Sequence, residues 1–286
     1  MNSKSITTRP GVLRVAAVQM KFAPSVAGNL VKIESALASL RRQRPDAVLF
    51  PECATTGYGF EFKKLARPEL TAAVDCLKSL ALRFKVNLLV GSPMFHRGRL
   101  QNCLLVIDRR GQLVHRYAKC QLTPADRKAF APGNDIALFK LDGVCCTAII
   151  CHERRYPELV RLAVMAGARI LFHPNAGMDS LSVSRKKRAG RDGIAVRAFE
   201  NQIYYVFANS VGRQAGGNWS AGDSKIVGTD GQVLRLADNR SEQTLVANLD
   251  LSKATGKYAL ESMEQPKFLS PIWRKMVREI IRRSQI

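Results

Sequence analysis

Several features that would place this chain in other protein classes are missing from its sequence. No stretch approaches the roughly 18 consecutive apolar residues of a membrane-spanning helix, which argues against a transmembrane protein. The chain has only 4 histidines, and its 7 cysteines include no C-x-x-C pair, so a metal site is not expected. Internal repeats, low-complexity tracts and long flexible linkers are also lacking, which favours a single domain.

The N-terminal segment has no apolar core of the kind found in a secretory signal peptide. We expect residues 1–12 to form a flexible tail that precedes one domain over residues 13–286. The odd number of cysteines, without a signal peptide, favours free thiols and a cytoplasmic location.

Negative charge is scarce in this chain. There are 45 Lys and Arg residues against 23 Asp and Glu residues, a formal net charge of +22. Positive charge concentrates in Arg185–Arg191 and in a C-terminal stretch, about residues 270–284, whose spacing predicts an amphipathic helix. That helix would pack on the domain or on a second subunit, or contact an anionic membrane surface or nucleic acid. A solvated basic face is the favoured interpretation, and its field would attract an anionic small molecule.

Apolar runs of strand length alternate with stretches of helical periodicity. Strands are predicted over residues 13–20, 47–50, 86–91, 103–108, 113–117, 144–150, 170–173, 203–209, 224–227, 233–236 and 244–250, and helices over residues 26–42, 69–84, 157–166 and 192–201. This alternation supports an α/β or α+β fold without choosing between them.

One cysteine stands at a position typical of reactive groups in such folds. Cys151 follows the predicted strand 144–150 and precedes the predicted helix that begins at Pro157. A thiol at this elbow would be partly exposed and near the positive end of a helix, which favours the thiolate. Burial beside Cys145 and Cys146 is the alternative.

Two distant segments place complementary groups at strand ends. Glu52 follows the predicted strand 47–50, and Lys119 follows the predicted strand 113–117. Each charge alone is more typical of a solvated rim. Together with Cys151 they offer a proton carrier, an oxyanion stabiliser and a nucleophile.

Seven short segments occur in order between about Leu13 and Asp250. They are R-V-A-A-V-Q-M, F-P-E with T-G-Y, Y-A-K-C-Q-L, F-A-P-G, C-H-E-R-R-Y-P-E, R-A-F-E-N-Q-I-Y-Y-V-F-A-N-S-V-G and G-D-S-K-I-V-G-T-D-G. In content and order they resemble the nitrilase, or carbon–nitrogen hydrolase, superfamily, in its amidase-like branch.

The resemblance implies a four-layer α-β-β-α sandwich and a catalytic triad of Glu52, Lys119 and Cys151. In the implied mechanism Glu52 is the general base, and Cys151 attacks a carbonyl carbon. The ammonium of Lys119 and the backbone N–H of His152 stabilise the oxyanion, and water hydrolyses the resulting thioester. The resemblance implies no cofactor, and it implies a homodimer or a higher homo-oligomer.

The sequence departs from the superfamily at several positions. Asp126 stands where many members have a second active-site Glu, so its shorter reach to Lys119 is an open question. His152 replaces an aromatic residue, and it either fills that aromatic slot or contacts substrate. A pocket aromatic is replaced near Ala189-Gly190, which indicates an altered substrate pocket. Asn175 either hydrogen-bonds substrate or caps the following loop.

Four further polar residues are expected to support the site rather than to react. We expect Arg155 and Glu158 to brace the elbow through ion pairs or hydrogen bonds. Glu200 and Asn201 are expected to be buried polar scaffolding.

These features together predict a cysteine-dependent hydrolase of non-peptide carbon–nitrogen bonds. The expected substrate is a small linear amide or an N-carbamoyl amine. A nitrile-hydrolysing enzyme is one alternative. A basic protein that binds nucleic acid or an acidic partner on a hydrolase scaffold is the other.

Overall fold

The computed structural model of the chain describes residues 11–58, 62–187 and 193–284. Its strands are β1 (Val12–Gln19), β2 (Ala47–Leu49), β3 (Asn87–His96), β4 (Arg99–Ile107), β5 (Leu113–Ala118), β6 (Phe139–Leu141), β7 (Val144–Ala148), β8 (Ile170–Asn175), β9 (Tyr204–Asn209), β10 (Val211–Arg213), β11 (Trp219–Ala221), β12 (Lys225–Val227), β13 (Val233–Leu236) and β14 (Gln243–Asp250). Its helices are α1 (Val26–Ser39), α2 (Arg67–Phe84), α3 (Pro157–Met165), α4 (Leu181–Lys186), α5 (Ile194–Phe199), α6 (Lys257–Glu261) and α7 (Ser270–Ser284). Most of the predicted tail lies outside the described residues, and β1 already begins at Val12.

The strands form two six-stranded sheets and a small hairpin of β10 and β11. The first sheet has the order β14-β1-β2-β3-β4-β5, and the second has the order β13-β12-β9-β8-β7-β6. The centre of each sheet is parallel, with β2 between β1 and β3 and with β8 between β7 and β9. Antiparallel strands complete both edges.

The central strands of each sheet are buried on both faces, so the molecule has four layers. Side chains such as Leu104 and Phe172 fill the space between the sheets. The outer face of the first sheet packs on α1 and α2, where Ile33 is fully buried. The outer face of the second sheet packs on α3, α5 and α7 through residues that include Val160 and Val277. The predicted four-layer α-β-β-α sandwich is confirmed.

The carboxyl ends of four strands carry the polar residues singled out in the sequence. β2 and β5 end at one edge of the first sheet, because β5 is antiparallel to β4 and β4 is antiparallel to β3. β7 and β8 are parallel and end at one edge of the second sheet. The loops that follow these four strands therefore converge.

The predicted strand ends of β3 and β4 are wrong. β3 continues to His96, and β4 already starts at Arg99. The two strands form a hairpin whose loop is Arg97 and Gly98, with φ of 48° and 80°. Two left-handed residues in a two-residue loop match the twist of a hairpin. Pro93, two residues after the predicted end at Gly91, lies within the observed strand although it has no N–H for the ladder. The short elements β6, β10, β11, α4 and α6 were not predicted.

The C-terminal helix α7 forms where the sequence predicted it. Val277 and Ile280 pack against the body of the domain, while Ile272, Met276 and the basic residues face outward. None of the helices in the described ranges has both the length and the apolar composition to span a bilayer.

Candidate active site

Glu52 lies in the loop that follows β2, and a glycine in the neighbouring strand makes room for it. A Cβ atom at Gly91 would lie 2.3 Å from the carbonyl oxygen of Pro51 and 2.6 Å from the Cα atom of Glu52. The Glu52 side chain is fully buried. Its Oε1 accepts hydrogen bonds from Asn102 Nδ2 at 2.7 Å and from Lys119 Nζ at 2.8 Å, and its Oε2 accepts one from the N–H of Ala176 at 3.1 Å. The carboxylate is thus fixed by groups from both sheets.

Lys119 directly follows β5, and only 1% of its surface is exposed. Its ammonium lies between two carboxylates, 2.8 Å from Glu52 Oε1 and 2.9 Å from Asp126 Oδ2. Burial by itself lowers the pKa of a lysine, but the negative charges of Glu52 and Asp126 outweigh this effect, and the pKa of Lys119 is raised well above its ordinary value. The side chain is therefore a permanent cation.

Asp126 reaches Lys119 despite its short side chain. It opens a one-turn 3₁₀ helix, and its carboxylate also accepts hydrogen bonds from the Thr123 N–H at 2.9 Å and from the Tyr58 hydroxyl. Burial raises the pKa of Asp126, but the charge of Lys119 and these hydrogen bonds lower the pKa by more, so the net shift is downward. This residue stays ionised at neutral pH. Two carboxylates surround the single ammonium of Lys119, so the cluster carries a net negative charge.

Cys151 lies at the elbow after β7, where it begins a short 3₁₀ helix that ends at Arg155. Its φ of 50° is the left-handed conformation, uncommon for a residue other than glycine and typical of a strained functional position. Burial first, and then the charge of Glu52, raise the pKa of Cys151 to about 12, and the opposing charge of Lys119 offsets this only in part. The elbow position was expected to favour the thiolate, but a pKa this high favours the protonated thiol, which needs a base such as Glu52.

Glu153, which the sequence reasoning passed over, holds the elbow. The side chain is fully buried and accepts hydrogen bonds from the Ile150 N–H at 2.7 Å, the Cys120 N–H at 2.7 Å and the Tyr117 hydroxyl at 2.9 Å. It therefore ties the Cys151 loop to the strand end that carries Lys119. Burial raises its pKa, and these hydrogen bonds oppose that shift.

The backbone of Cys151 is also held from below by His173 of β8. His173 Nε2 lies 3.0 Å from the Cys151 carbonyl oxygen, and His173 Nδ1 lies 2.6 Å from the Tyr205 hydroxyl. A carbonyl oxygen only accepts, so Nε2 carries the proton and the Tyr205 hydroxyl donates to Nδ1. Burial lowers the pKa of His173 well below its ordinary value, so this neutral tautomer persists.

The two residues predicted to bind substrate have different surroundings. His152 is half-buried beside Cys151, with its ring edge-on to that of Tyr156 at a centroid distance of 5.7 Å. Burial, then the positive charges of Lys119 and Arg155, lower its pKa. Asn175 ends β8, and its Nδ2 donates to Asn209 Oδ1 at 2.8 Å. That bond ties β8 to β9, and it occupies an amide donor that was expected to face either substrate or the loop.

The expected brace of Arg155 and Glu158 is wrong. Both side chains are exposed, and neither forms an ion pair or a side-chain hydrogen bond with another residue that the structure describes. Glu153 takes that role instead. Asn201 is buried, whereas Glu200 is half-buried and pairs with Arg197 at 2.7 Å. The predicted pocket change near Ala189-Gly190 lies outside the described residues.

Signals for the missed supports were present but weak. Asn102 is a polar residue before the apolar run C-L-L-V-I, and the predicted strand began one residue too late to include it. His173 is a single polar residue in the buried strand β8, a pattern that more often indicates structure than chemistry. Glu153 is one of several charged residues in C-H-E-R-R, and nothing in the sequence distinguishes it from its neighbours.

The sequence matches the profile of the carbon-nitrogen hydrolase family over residues 14–257. The chain is 30% identical to a probable nitrilase of Schizosaccharomyces pombe over 84% of this chain and 89% of that protein. It is 29% identical to an (R)-stereoselective amidase of a Pseudomonas species over 79% of this chain and 80% of that protein.

The fold is also similar to solved amidase structures. An amidase of Nesterenkonia sp. AN1, in a variant that carries the acetamide moiety of fluoroacetamide on its active-site cysteine, superposes with a TM-score of 0.78. The two chains are 25% identical, and the match covers 94% of this chain and 100% of the other. The four converging strand ends and the family match over most of the sequence show that this chain is a hydrolase of the carbon–nitrogen hydrolase family.

Proposed function

We propose that the chain hydrolyses the carbon–nitrogen bond of a small linear amide or an N-carbamoyl amine through a thioester on Cys151. The observation that carries this proposal is the buried cluster in which Glu52 accepts a hydrogen bond from Lys119 and, by its charge, raises the pKa of the Cys151 thiol. A protonated thiol beside an anionic carboxylate has its base in place. No other side chain is needed for the first proton transfer.

In the first half-reaction Glu52 takes the thiol proton as the sulfur attacks the carbonyl carbon. The developing oxyanion is stabilised by the Lys119 ammonium and the His152 N–H, and one such donor typically contributes about 3–4 kcal/mol. Glu52 then gives its proton to the leaving nitrogen. The carbon–nitrogen bond breaks, ammonia or an amine leaves, and the acyl group stays on sulfur.

In the second half-reaction Glu52 takes a proton from water, and the water oxygen attacks the thioester carbon. The carbon–sulfur bond breaks, and the proton returns to sulfur. Asp126 stays anionic throughout, and it holds the Lys119 ammonium at 2.9 Å as a second carboxylate partner beside Glu52. The role we propose for Asp126 is therefore to position the Lys119 ammonium.

The test is to incubate the wild type, Cys151→Ala and Cys145→Ala with panels of short amides, N-carbamoyl amines and nitriles. Released ammonia is measured, with added hydroxylamine to trap an acyl-enzyme as a hydroxamate. We expect turnover in wild type and Cys145→Ala, since Cys145 is a second partly exposed thiol, and none in Cys151→Ala. Turnover that survives in Cys151→Ala would refute the thioester route. Turnover of nitriles alone would move the assignment to a nitrilase.

A homodimer or higher oligomer is also part of the proposal. Val196 and Phe199 on α5 are 51% and 56% exposed, which is costly for two apolar side chains on one helix face and is relieved if a second copy covers them. Light scattering would then give at least twice the monomer mass. A Phe199→Glu variant would give the monomer mass, and a monomeric wild type would contradict this part.

A further inference from the structure

A cleft of about 420 Å³ lies outside the active site, beside the edge strand β5. One wall is the tip of the β3–β4 hairpin, and another is the segment 131–136, which α7 touches through Arg283. None of the side chains of Glu52, Lys119 or Cys151 lines this cleft. We call it the arginine cleft.

The arginine cleft is named for its charged lining: Arg97, Arg99, Arg116, Arg283 and the single carboxylate Asp135. Arg283 pairs with Asp135 at 2.6 Å. Arg97 and Arg99 are exposed at the hairpin tip and have no carboxylate partner among the described residues. The lining thus has about three positive charges in excess.

Two of the guanidinium groups are held in place before any ligand arrives. Arg116 Nη1 donates to Gln101 Oε1 at 2.7 Å, and Gln101 in turn donates to the Pro132 carbonyl oxygen at 3.1 Å. Arg283 Nη2 donates to the Asn134 carbonyl oxygen at 2.9 Å. Fixed donors lose less conformational entropy on binding than free ones, so these contacts favour an anion.

Two histidines complete the wall, His96 at the hairpin and His115 on β5. The His115 ring stacks on Phe139 at a centroid distance of 5.3 Å. Burial lowers the pKa of His115 to about 4, so at neutral pH it is an uncharged hydrogen-bonding group. The chain's other two histidines, His152 and His173, lie at the Cys151 elbow.

We propose that the arginine cleft binds a small anion that carries one or more phosphate groups. Guanidinium groups match phosphate oxygens in a two-pronged geometry, and the excess of positive charge suits a multiply charged phosphate better than a single carboxylate. The volume is that of a small-molecule site. An extended nucleic acid would instead be expected to follow an open basic groove.

The test uses the full chain in 150 mM salt with tripolyphosphate and ATP as probes, and it reads the imidazole C–H signals of the 4 histidines by NMR. We expect either probe to shift the signals of His96 and His115 and to leave those of His152 and His173 unchanged. Calorimetry should give one site per chain. Equal affinity for both probes would identify the phosphate chain as the ligand, and tighter binding of ATP would add a contact to the nucleoside.

The variant Arg97→Glu/Arg99→Glu should weaken binding about tenfold or more, because two charge-assisted hydrogen bonds are lost. The matched control is Arg240→Glu/Lys253→Glu, which makes the same change in net charge at two exposed sites elsewhere. It should weaken binding less than about twofold. Circular dichroism verifies the fold, and Arg97→Gln/Arg99→Gln repeats the test without charge reversal.

Several results would overturn the proposal. If the control variant weakened binding as much as Arg97→Glu/Arg99→Glu, the probes would be attracted by the net charge of the protein and not by the cleft. Shifts at His152 and His173 alone would place the anion at the Cys151 elbow. Binding of a single-stranded RNA without any binding of tripolyphosphate or ATP would indicate an extended nucleic-acid surface, and an absence of all binding would remove the site.

Discussion

Lys119 Nζ lies 2.8 Å from Glu52 Oε1, and both side chains are buried almost completely. An ion pair so far from water is costly to desolvate and is stable only when further hydrogen bonds complete it. Asn102, Ala176 and Asp126 supply those bonds. The pair is therefore the rigid centre on which the reactivity of Cys151 depends.

Glu52→Gln should lower the pKa of Cys151 and reduce turnover. The charge of Glu52 raises the thiol pKa and that of Lys119 lowers it, so removal of the carboxylate leaves the lowering influence in place. The pH midpoint for alkylation of Cys151 by iodoacetamide, followed by peptide mass mapping, should fall by about one unit or more. Turnover should fall about 100-fold or more. The exposed Glu261→Gln is the control, and an unchanged or higher midpoint would contradict the assignment.

Asp126→Asn should reduce kcat more than it changes KM. The substitution keeps the size of the side chain but removes a charge 2.9 Å from Lys119 Nζ, so the ammonium is free to shift. A displacement of that kind costs about 100-fold in rate. Steady-state kinetics on the best substrate would measure it, with the exposed Asp75→Asn as control. A change confined to KM would show instead that Asp126 acts by binding substrate.

Glu153→Gln should destabilise the protein by about 3 kcal/mol, because an amide presents a donor to N–H groups that need an acceptor. Tyr117→Phe removes only one donor to the same carboxylate and should cost about 1 kcal/mol. Urea unfolding of both variants shows which one loses more stability. If Tyr117→Phe lowers the free energy of unfolding as much as Glu153→Gln does, the Glu153 carboxylate is not the main support of the elbow.

Gly91→Ala should destabilise the protein by about 2 kcal/mol or more and should reduce turnover, since the new Cβ would collide with the Pro51 and Glu52 backbone. Gly98→Asn at the hairpin tip is the matched control, because no atom lies within 4 Å of a Cβ built there and asparagine tolerates positive φ. Thermal unfolding and activity are measured for both. An active Gly91→Ala with wild-type stability would rule out a tight approach at this strand.

Most of the fold was predictable because its signals are local. The alternation of apolar runs and helical stretches located the main strands of both sheets, and the polar residue after each of three strands pointed to the site. The supports were not predictable in the same way. Asn102 is 50 residues from Glu52, Tyr117 is 36 residues from Glu153, and His173 is 22 residues from Cys151. Those contacts depend on which loops converge.

The sequence by itself determined the main strands and helices, because apolar periodicity is a local signal. Its resemblance to the nitrilase superfamily implied the four-layer architecture and the grouping of Glu52, Lys119 and Cys151. Only the tertiary structure decided that Cys151 is a protonated thiol, that Asp126 reaches Lys119 and that arginines from distant segments share one cleft. The physical reason is that desolvation and charge act through space, between groups whose separation the order of residues does not specify.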